Sequence, residues 1–174
     1  LDLAHNLPWF QPQKIRQDYE TITNLHPDLI ITCAYGQIIP KVLLDLPKYG
    51  AINIHASLLP KYRGSAPINW AIINGEDKTG ITLMYMDEHM DTGDIIAQKE
   101  IDILMDDNYG SLYDKLSLIV ANLLQNNFMK KAIQFSTILL AALFYGQSVS
   151  NFKYILIPQK FKNLQATPSV FNIV

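Results

Sequence analysis

Apolar residues along the chain occur in two kinds of pattern. A continuously apolar run at 28–34 has the length of a β-strand, and 50–56 is predicted to be a second buried strand. Such runs are typical of strands that are covered on both faces within a parallel sheet. Two further strands are predicted at 80–86 and 94–103. We therefore expect a sheet whose first two strands are buried.

Helical spacing fills the intervals between these strands. Helices are predicted at 15–25, 38–46, 66–74 and 109–124, the third with Ser65 as its N-terminal cap. The order helix, strand, helix, strand, helix, strand, strand, helix predicts an α/β fold. We expect an open, mostly parallel, Rossmann-like sheet with helices on both faces. Ligands of such sheets bind beyond the carboxyl ends of the strands.

The last third of the chain has a different composition. All 16 acidic residues precede Lys115, whereas six lysines are scattered from there to Val174. The apolar stretch 132–146 predicts a buried helix, with a membrane segment as the alternative, although it is short for a span. We expect a functional domain at 1–125. For 126–174, a divergent tail, two interpretations stay open: a packed helix with a disordered end, or unselected sequence such as a frameshift product.

The single cysteine, Cys33, excludes an internal disulfide bond. The first ten residues show no secretory signal pattern. Both observations favour a reducing, cytoplasmic setting. We expect a monomer that does not enter a membrane.

Asn53 and His55 are the first candidates for chemistry. They lie two positions apart near the end of a predicted strand, so their side chains point the same way. A carboxylate-rich loop at 87–94 could supply a partner that holds an imidazole in place. The alternatives are ordinary strand-end hydrogen bonds, a solvated turn, or a metal site formed by three carboxylates of this loop, Asp87, Asp91 and Asp94.

The loop at 57–64 combines an apolar pair, a proline and two cations. It could border a pocket for a flat aromatic ligand with anionic groups, or it could be a surface loop. The glycine patterns of dinucleotide-binding and phosphate-binding loops are both absent from the sequence.

Together these segments resemble the folate-dependent formyltransferases. The similarity covers about 7–124 and is carried by Asn53-Ile-His55-Ala-Ser57-Leu-Leu-Pro60-Lys-Tyr-Arg63-Gly64, Ala66-Pro67-Ile68, Thr79-Gly80-Ile-Thr and Met90-Asp91-Thr92-Gly93-Asp94. The resemblance is greatest to the branch that formylates methionyl-initiator tRNA.

The resemblance implies a role for each candidate residue. 10-Formyltetrahydrofolate would be the formyl donor, and no metal would be needed. Asn53 would donate a hydrogen bond to the developing oxyanion, His55 would polarise the formyl oxygen or move a proton, and Asp91 would orient His55. The implied folate-binding residues are Ser57, Leu58, Leu59, Pro60, Tyr35, Gly36, Ile38 and Asp94.

Parts of the family pattern are not found in this sequence. The family's opening strand, helix and strand would precede Leu1, and its tRNA-holding C-terminal β-barrel does not follow about Leu124. These differences weaken the expectation of a tRNA partner. Two other interpretations stay open: formyl transfer to the amine of a sugar nucleotide, and a non-catalytic remnant or folate-binding fragment.

Overall fold

The helices and strands follow the predicted alternation. The computed structural model describes residues 12–124 and 126–127, and the backbone of 137–143 and 152–158. In chain order the elements are α1 (Glu20–Thr23), β1 (Leu29–Cys33), α2 (Lys41–Leu44), β2 (Ala51–His55), α3 (Pro67–Ile73), β3 (Lys78–Tyr85), β4 (Ile95–Asp102), α4 (Tyr109–Leu124), β5 (Thr137–Leu143) and β6 (Phe152–Pro158).

The chain divides into two units, and the boundary falls within β2. One unit comprises residues 1–52 and 131–174, and the other comprises residues 53–130. The expected division into a domain at 1–125 and a tail at 126–174 is a different partition. It stays a prediction, because much of the second segment lies outside the described residues.

In the first unit the strand order is β2-β1-β5-β6. β1 and β5 are parallel, and β5 and β6 are antiparallel. The hydroxyl of Thr32 donates to the carbonyl of Ile52 at 3.2 Å, which joins β1 to the beginning of β2. Leu29, Ile30 and Ile31 are all buried. The continuously apolar run therefore forms a strand covered on both faces, as its pattern predicts.

The prediction of a helix at 132–146 is wrong for the part that the structure describes. Thr137–Leu143 form strand β5, which pairs with β1 and β6. A short apolar run has no period that distinguishes a buried helix from a buried strand. Pairing with two neighbouring strands decides between them. The disordered end and the frameshift interpretation concern residues that lie largely outside the described ones.

In the second unit the strand order is β4-β3-β2. β3 and β4 are antiparallel, with a register shift between Leu83 and Met84. Helix α4 packs against α3, β3 and β4. It buries Leu112 and Leu116, two of the residues that its apolar spacing places on one side. The α/β, Rossmann-like class is confirmed, with a mixed sheet.

The short helices begin later than predicted. α1 is limited to Glu20–Thr23 and α2 to Lys41–Leu44. The N-cap of α3 is Ala66, with φ 57°, and no side chain caps the helix, so the assignment of Ser65 as the cap is wrong. Pro67 opens the helix, and its lack of an N–H removes one donor that a cap would otherwise satisfy.

Two side chains define where α4 begins. The side-chain oxygen of Asn108 accepts hydrogen bonds from the backbone N–H groups of Gly110 and Ser111. These are donors that lack a partner within the helix. Asp107 accepts from the ammonium of Lys115, the backbone N–H of Leu104 and the hydroxyl of Ser111. These contacts, that with Lys115 foremost, lower the pKa of Asp107 to about 2.

No helix among the described residues is both long enough and apolar enough to pass through a membrane.

Close packing between β3 and β4 requires a residue without a side chain at position 80. A Cβ at Gly80 would lie 2.2 Å from the carbonyl oxygen of Lys99 and 2.6 Å from Leu58 Cδ2. We expect Gly80→Ala to lower the free energy of unfolding by about 1–3 kcal/mol through overpacking. Gly110→Ala is the control, because its Cβ has more room and alanine favours helix. Equal denaturation midpoints for the two variants would contradict the prediction.

The ionised Asp107 should make stability depend on pH in acid. An ordinary aspartate binds its proton near pH 4 in the unfolded chain, whereas the folded group stays ionised to about pH 2. Its stabilisation is therefore complete above about pH 4 and is lost as the pH falls towards about 2. We expect Asp107→Asn to lower the melting temperature at neutral pH and to flatten its acid dependence. Asp106→Asn, at an exposed neighbour, should leave both unchanged.

Candidate active site

Strand β2 carries two polar side chains at its carboxyl end. His55 is only 6% exposed, and Asn53 is partly exposed. Ile52 and Ile54, which alternate with them, are buried. Because successive side chains of a strand point to opposite faces, Asn53 and His55 lie on one face of β2 and the two isoleucines lie on the other.

Asp91 meets both of these side chains from the loop between β3 and β4. Its Oδ1 accepts a hydrogen bond from Asn53 Nδ2 at 3.2 Å, and its Oδ2 lies 3.5 Å from His55 Nδ1. Oδ2 also accepts from the backbone N–H of Gly64 at 2.8 Å. The side chains of His55 and Asp91 are 7% and 11% exposed. The structure therefore brings together the three residues expected to be catalytic.

The second ring nitrogen of His55 also faces an acceptor. Nε2 lies 2.8 Å from the carbonyl oxygen of Tyr62. A neutral imidazole carries one N–H and can donate to only one of these two acceptors, whereas an imidazolium donates to both. Both ring nitrogens of His55 therefore face an oxygen acceptor of the protein.

The loop that carries Asp91 is held close to the end of β3. A Cβ at Gly93 would lie 2.0 Å from the carbonyl oxygen of Tyr85, so only glycine fits this approach. The N–H of Tyr85 donates to the carbonyl of Asp94 at 2.9 Å. Asp87 accepts from the hydroxyl of Thr92 at 2.8 Å, and this bond foremost lowers its pKa. Asp91 itself has φ 52°, a left-handed conformation that aspartate tolerates better than most residues.

The metal-site alternative finds no support in the described part of the chain. No group of three or more His, Cys, Asp or Glu residues there is arranged to hold an ion. Asp87 and Asp91 instead accept hydrogen bonds from protein donors, while Asp94 is exposed.

The expected folate-binding segment Ser57–Pro60 is shaped by Thr82. The threonine hydroxyl donates to the carbonyl of Ser57 at 2.6 Å and accepts from the N–H of Leu59 at 3.1 Å. Gln98 Nε2 donates to the carbonyl of Leu59. Ser57 and Leu59 are buried, whereas Leu58 is partly exposed and Pro60 is exposed. The segment therefore offers an apolar surface, and Thr82 and Gln98 bind backbone groups of its buried residues, Ser57 and Leu59.

Of the other expected folate-binding residues, Asp94 lies in the second unit, and Tyr35, Gly36 and Ile38 lie in the first. Tyr35 is partly exposed, and Gly36 and Ile38 are exposed. Ile38 also borders a shallow cavity of about 260 Å³, together with Lys14, Arg16, Gln17 and Gln37. Contact of these residues with folate stays a prediction.

Sequence reasoning missed several groups that organise the site. The carbonyl of Tyr62 and the N–H of Gly64 are backbone groups, which no residue type identifies. Thr82 is the last residue of the run Thr79-Gly80-Ile-Thr, which carries part of the family resemblance. Its place in that run could have identified it as a residue of the site. Nothing in the sequence pattern pointed to Gln98.

Comparison with known proteins adds to this geometry. Residues 8–126 match the family described as formyl transferase. Methionyl-tRNA formyltransferase of Alkaliphilus oremlandii (strain OhILAs) is 56% identical over 125 residues, which are 71% of this chain and 40% of that protein. The chain thus spans about two fifths of that relative's length.

Solved structures show the same similarity. Phosphoribosylglycinamide formyltransferase from Bacillus halodurans superposes with a TM-score of 0.62 at 29% identity, covering 68% of this chain and 61% of that one. A formyltransferase from Anoxybacillus kamchatkensis, in complex with UDP-4,6-dideoxy-4-formamido-L-AltNAc and tetrahydrofolate, gives a TM-score of 0.52 at 32% identity, covering 57% and 52%.

The buried hydroxyl of Thr82 should stabilise the conformation of the Ser57–Pro60 segment. Thr82→Val keeps the shape but leaves the carbonyl of Ser57 and the N–H of Leu59 without this partner. We expect a loss of about 1–3 kcal/mol in unfolding free energy, measured by chemical denaturation. Thr82→Ser, which retains the hydroxyl, should lose less. A valine variant as stable as the serine variant would show that the hydroxyl does not hold the segment.

Proposed function

Because the chain belongs to the formyl transferase family, we propose that it transfers a formyl group from 10-formyltetrahydrofolate to the α-amine of methionyl-initiator tRNA. The observation that carries this proposal is the meeting of Asn53, His55 and Asp91 at the end of β2. An amide, an imidazole and a carboxylate are the groups needed to stabilise an oxyanion and to move a proton.

The reaction requires negative charge to be stabilised on the formyl oxygen. As the amine nitrogen attacks the formyl carbon, the N–H of Asn53 donates to that oxygen. His55 polarises the same oxygen or carries the proton that the attacking amine releases to N10 of the folate. The bond between N10 and the formyl carbon breaks, and tetrahydrofolate leaves. Asp91 keeps the imidazole ring and the amide in place. Because His55 and Asp91 are nearly buried, their interactions are screened less than they would be in water.

The proposed donor fits the apolar segment beside the catalytic strand. Leu58 and Pro60 offer accessible apolar surface directly after His55, where a flat pterin can pack. The Anoxybacillus kamchatkensis formyltransferase was solved with tetrahydrofolate. We assign Ser57, Leu58, Leu59, Pro60 and Asp94 to the donor site, while contact of Tyr35, Gly36 and Ile38 with the folate stays a prediction from the family resemblance.

The proposed acceptor rests on degree of similarity. The relative named methionyl-tRNA formyltransferase is 56% identical to this chain, whereas the structure solved with a formylated sugar nucleotide is 32% identical. Transfer to a sugar-nucleotide amine is the competing activity, and the same assay distinguishes the two.

Replacing Asn53 or His55 should slow transfer strongly without unfolding the chain. Removing one oxyanion donor with Asn53→Ala should reduce the rate by ~10²–10³. Removing the proton carrier with His55→Ala should reduce it by ~10²–10⁴. The measurement is transfer of labelled formyl groups from 10-formyltetrahydrofolate to methionyl-initiator tRNA, with circular dichroism as the check on folding.

His89→Ala is the matched control, because His89 is exposed and is not one of the three residues. It should retain the activity of the unaltered chain. Full activity of His55→Ala would overturn the proposed chemistry. Transfer to a 4-amino sugar nucleotide but not to tRNA would establish the competing activity, and a folded chain that binds folate without transferring to either acceptor would establish the non-catalytic interpretation.

A further inference from the structure

The loop of residues 61–64 contacts both partners of the buried pair between His55 and Asp91. The carbonyl of Tyr62 accepts from His55 Nε2, and the N–H of Gly64 donates to Asp91 Oδ2, each at 2.8 Å. Backbone groups of one short loop thus fix both the ring and the carboxylate. The orientation of His55 therefore depends on the conformation of this loop.

That conformation is unusual and must be stabilised by other contacts. Tyr62 has φ 57° and Gly64 has φ 87°. Glycine adopts such angles readily, whereas a bulky residue does so only when its surroundings hold it there.

A carboxylate just beyond helix α3 supplies these contacts. The hydroxyl of Tyr62 donates to Glu76 Oε1 at 2.7 Å and accepts from Asn74 Nδ2 at 2.9 Å. Lys61 Nζ pairs with Glu76 Oε2 at 2.8 Å. The backbone N–H of Glu76 donates to the carbonyl of Ala71, which anchors it to α3. Glu76 therefore binds two consecutive residues of the loop with its two oxygens.

The ionisation behaviour of Glu76 agrees with this arrangement. Its hydrogen bond with Lys61, followed by that with Tyr62, lowers its pKa, and the bond with Glu76 raises the pKa of Lys61. Both shifts favour the charged pair that the geometry shows.

We infer that Glu76, acting through the Tyr62 hydroxyl, is a positioning residue that holds the Tyr62 carbonyl against Nε2 of His55. Glu76 touches none of Asn53, His55 and Asp91, so its effect is indirect. The contact orients the imidazole before substrates bind. The expected effect of Glu76 on catalysis rests on the proposed function. Its effect on the orientation of the His55 ring does not.

The structural part is tested by the ring N–H of His55, observed by nitrogen-15 NMR in the full chain and assigned with His55→Gln. Glu76→Ala and Tyr62→Phe should each speed exchange of the Nε2 proton with water by about tenfold, the effect expected for loss of one hydrogen bond. Glu76→Gln keeps an oxygen for the tyrosine hydroxyl. The Nε2 proton should therefore exchange more slowly in this variant than in Glu76→Ala. Glu100→Ala removes another exposed ion pair, with Lys78, and should change nothing.

Unchanged exchange in a folded Glu76→Ala chain would overturn the inference. If Glu76→Ala does not fold, Tyr62→Phe decides, since it removes a single oxygen atom. An unprotected Nε2 proton in the unaltered chain would also refute the inference. In the transfer assay, Glu76→Ala should lower kcat by about tenfold with little change in KM. Absence of transfer by the unaltered chain would reject the proposed function while leaving the NMR result decisive for the positioning role.

Discussion

The candidate site depends on the interactions of the Asp91 carboxylate. A nearly buried negative charge is costly unless hydrogen-bond donors or a cation surround it. Asp91 meets this requirement with an amide from β2, a backbone N–H from the following loop and a ring nitrogen of an imidazole. The buried charge of Asp91 needs all three partners. This one requirement therefore fixes where the amide, the backbone N–H and the imidazole lie relative to one another.

The fold that delivers these partners was largely predictable. Runs of strand length bounded by turn residues identified β1 and β2, and apolar residues at helical spacing over sixteen positions identified α4 to its ends. The ends of the short helices were less predictable, since Pro40 and Pro67 decide where α2 and α3 begin. The strand at Thr137–Leu143 could not be distinguished from a helix, because pairing with distant strands determines it.

The site was predictable as a set of side chains but not as a network. Strand periodicity places Asn53 and His55 on one side, whereas Asp91, which lies 38 positions beyond Asn53, was joined to them by family resemblance. The groups that orient them were not visible in this way. The Tyr62 carbonyl depends on a left-handed backbone angle, and the role of Glu76 depends on where α3 ends relative to the preceding loop. Such relations arise only when the chain has folded.

The close approach of Gly93 to the carbonyl of Tyr85 has a consequence for dynamics. It ties the Asp91 loop to β3, and the residues that meet at the carboxylate all belong to one continuous stretch between Asn53 and Asp94. Opening of this stretch would separate every partner at once, as in a cooperative foldon. The fraction of molecules with an assembled site is then set by the local opening equilibrium of this stretch, even while strands elsewhere in the chain stay paired.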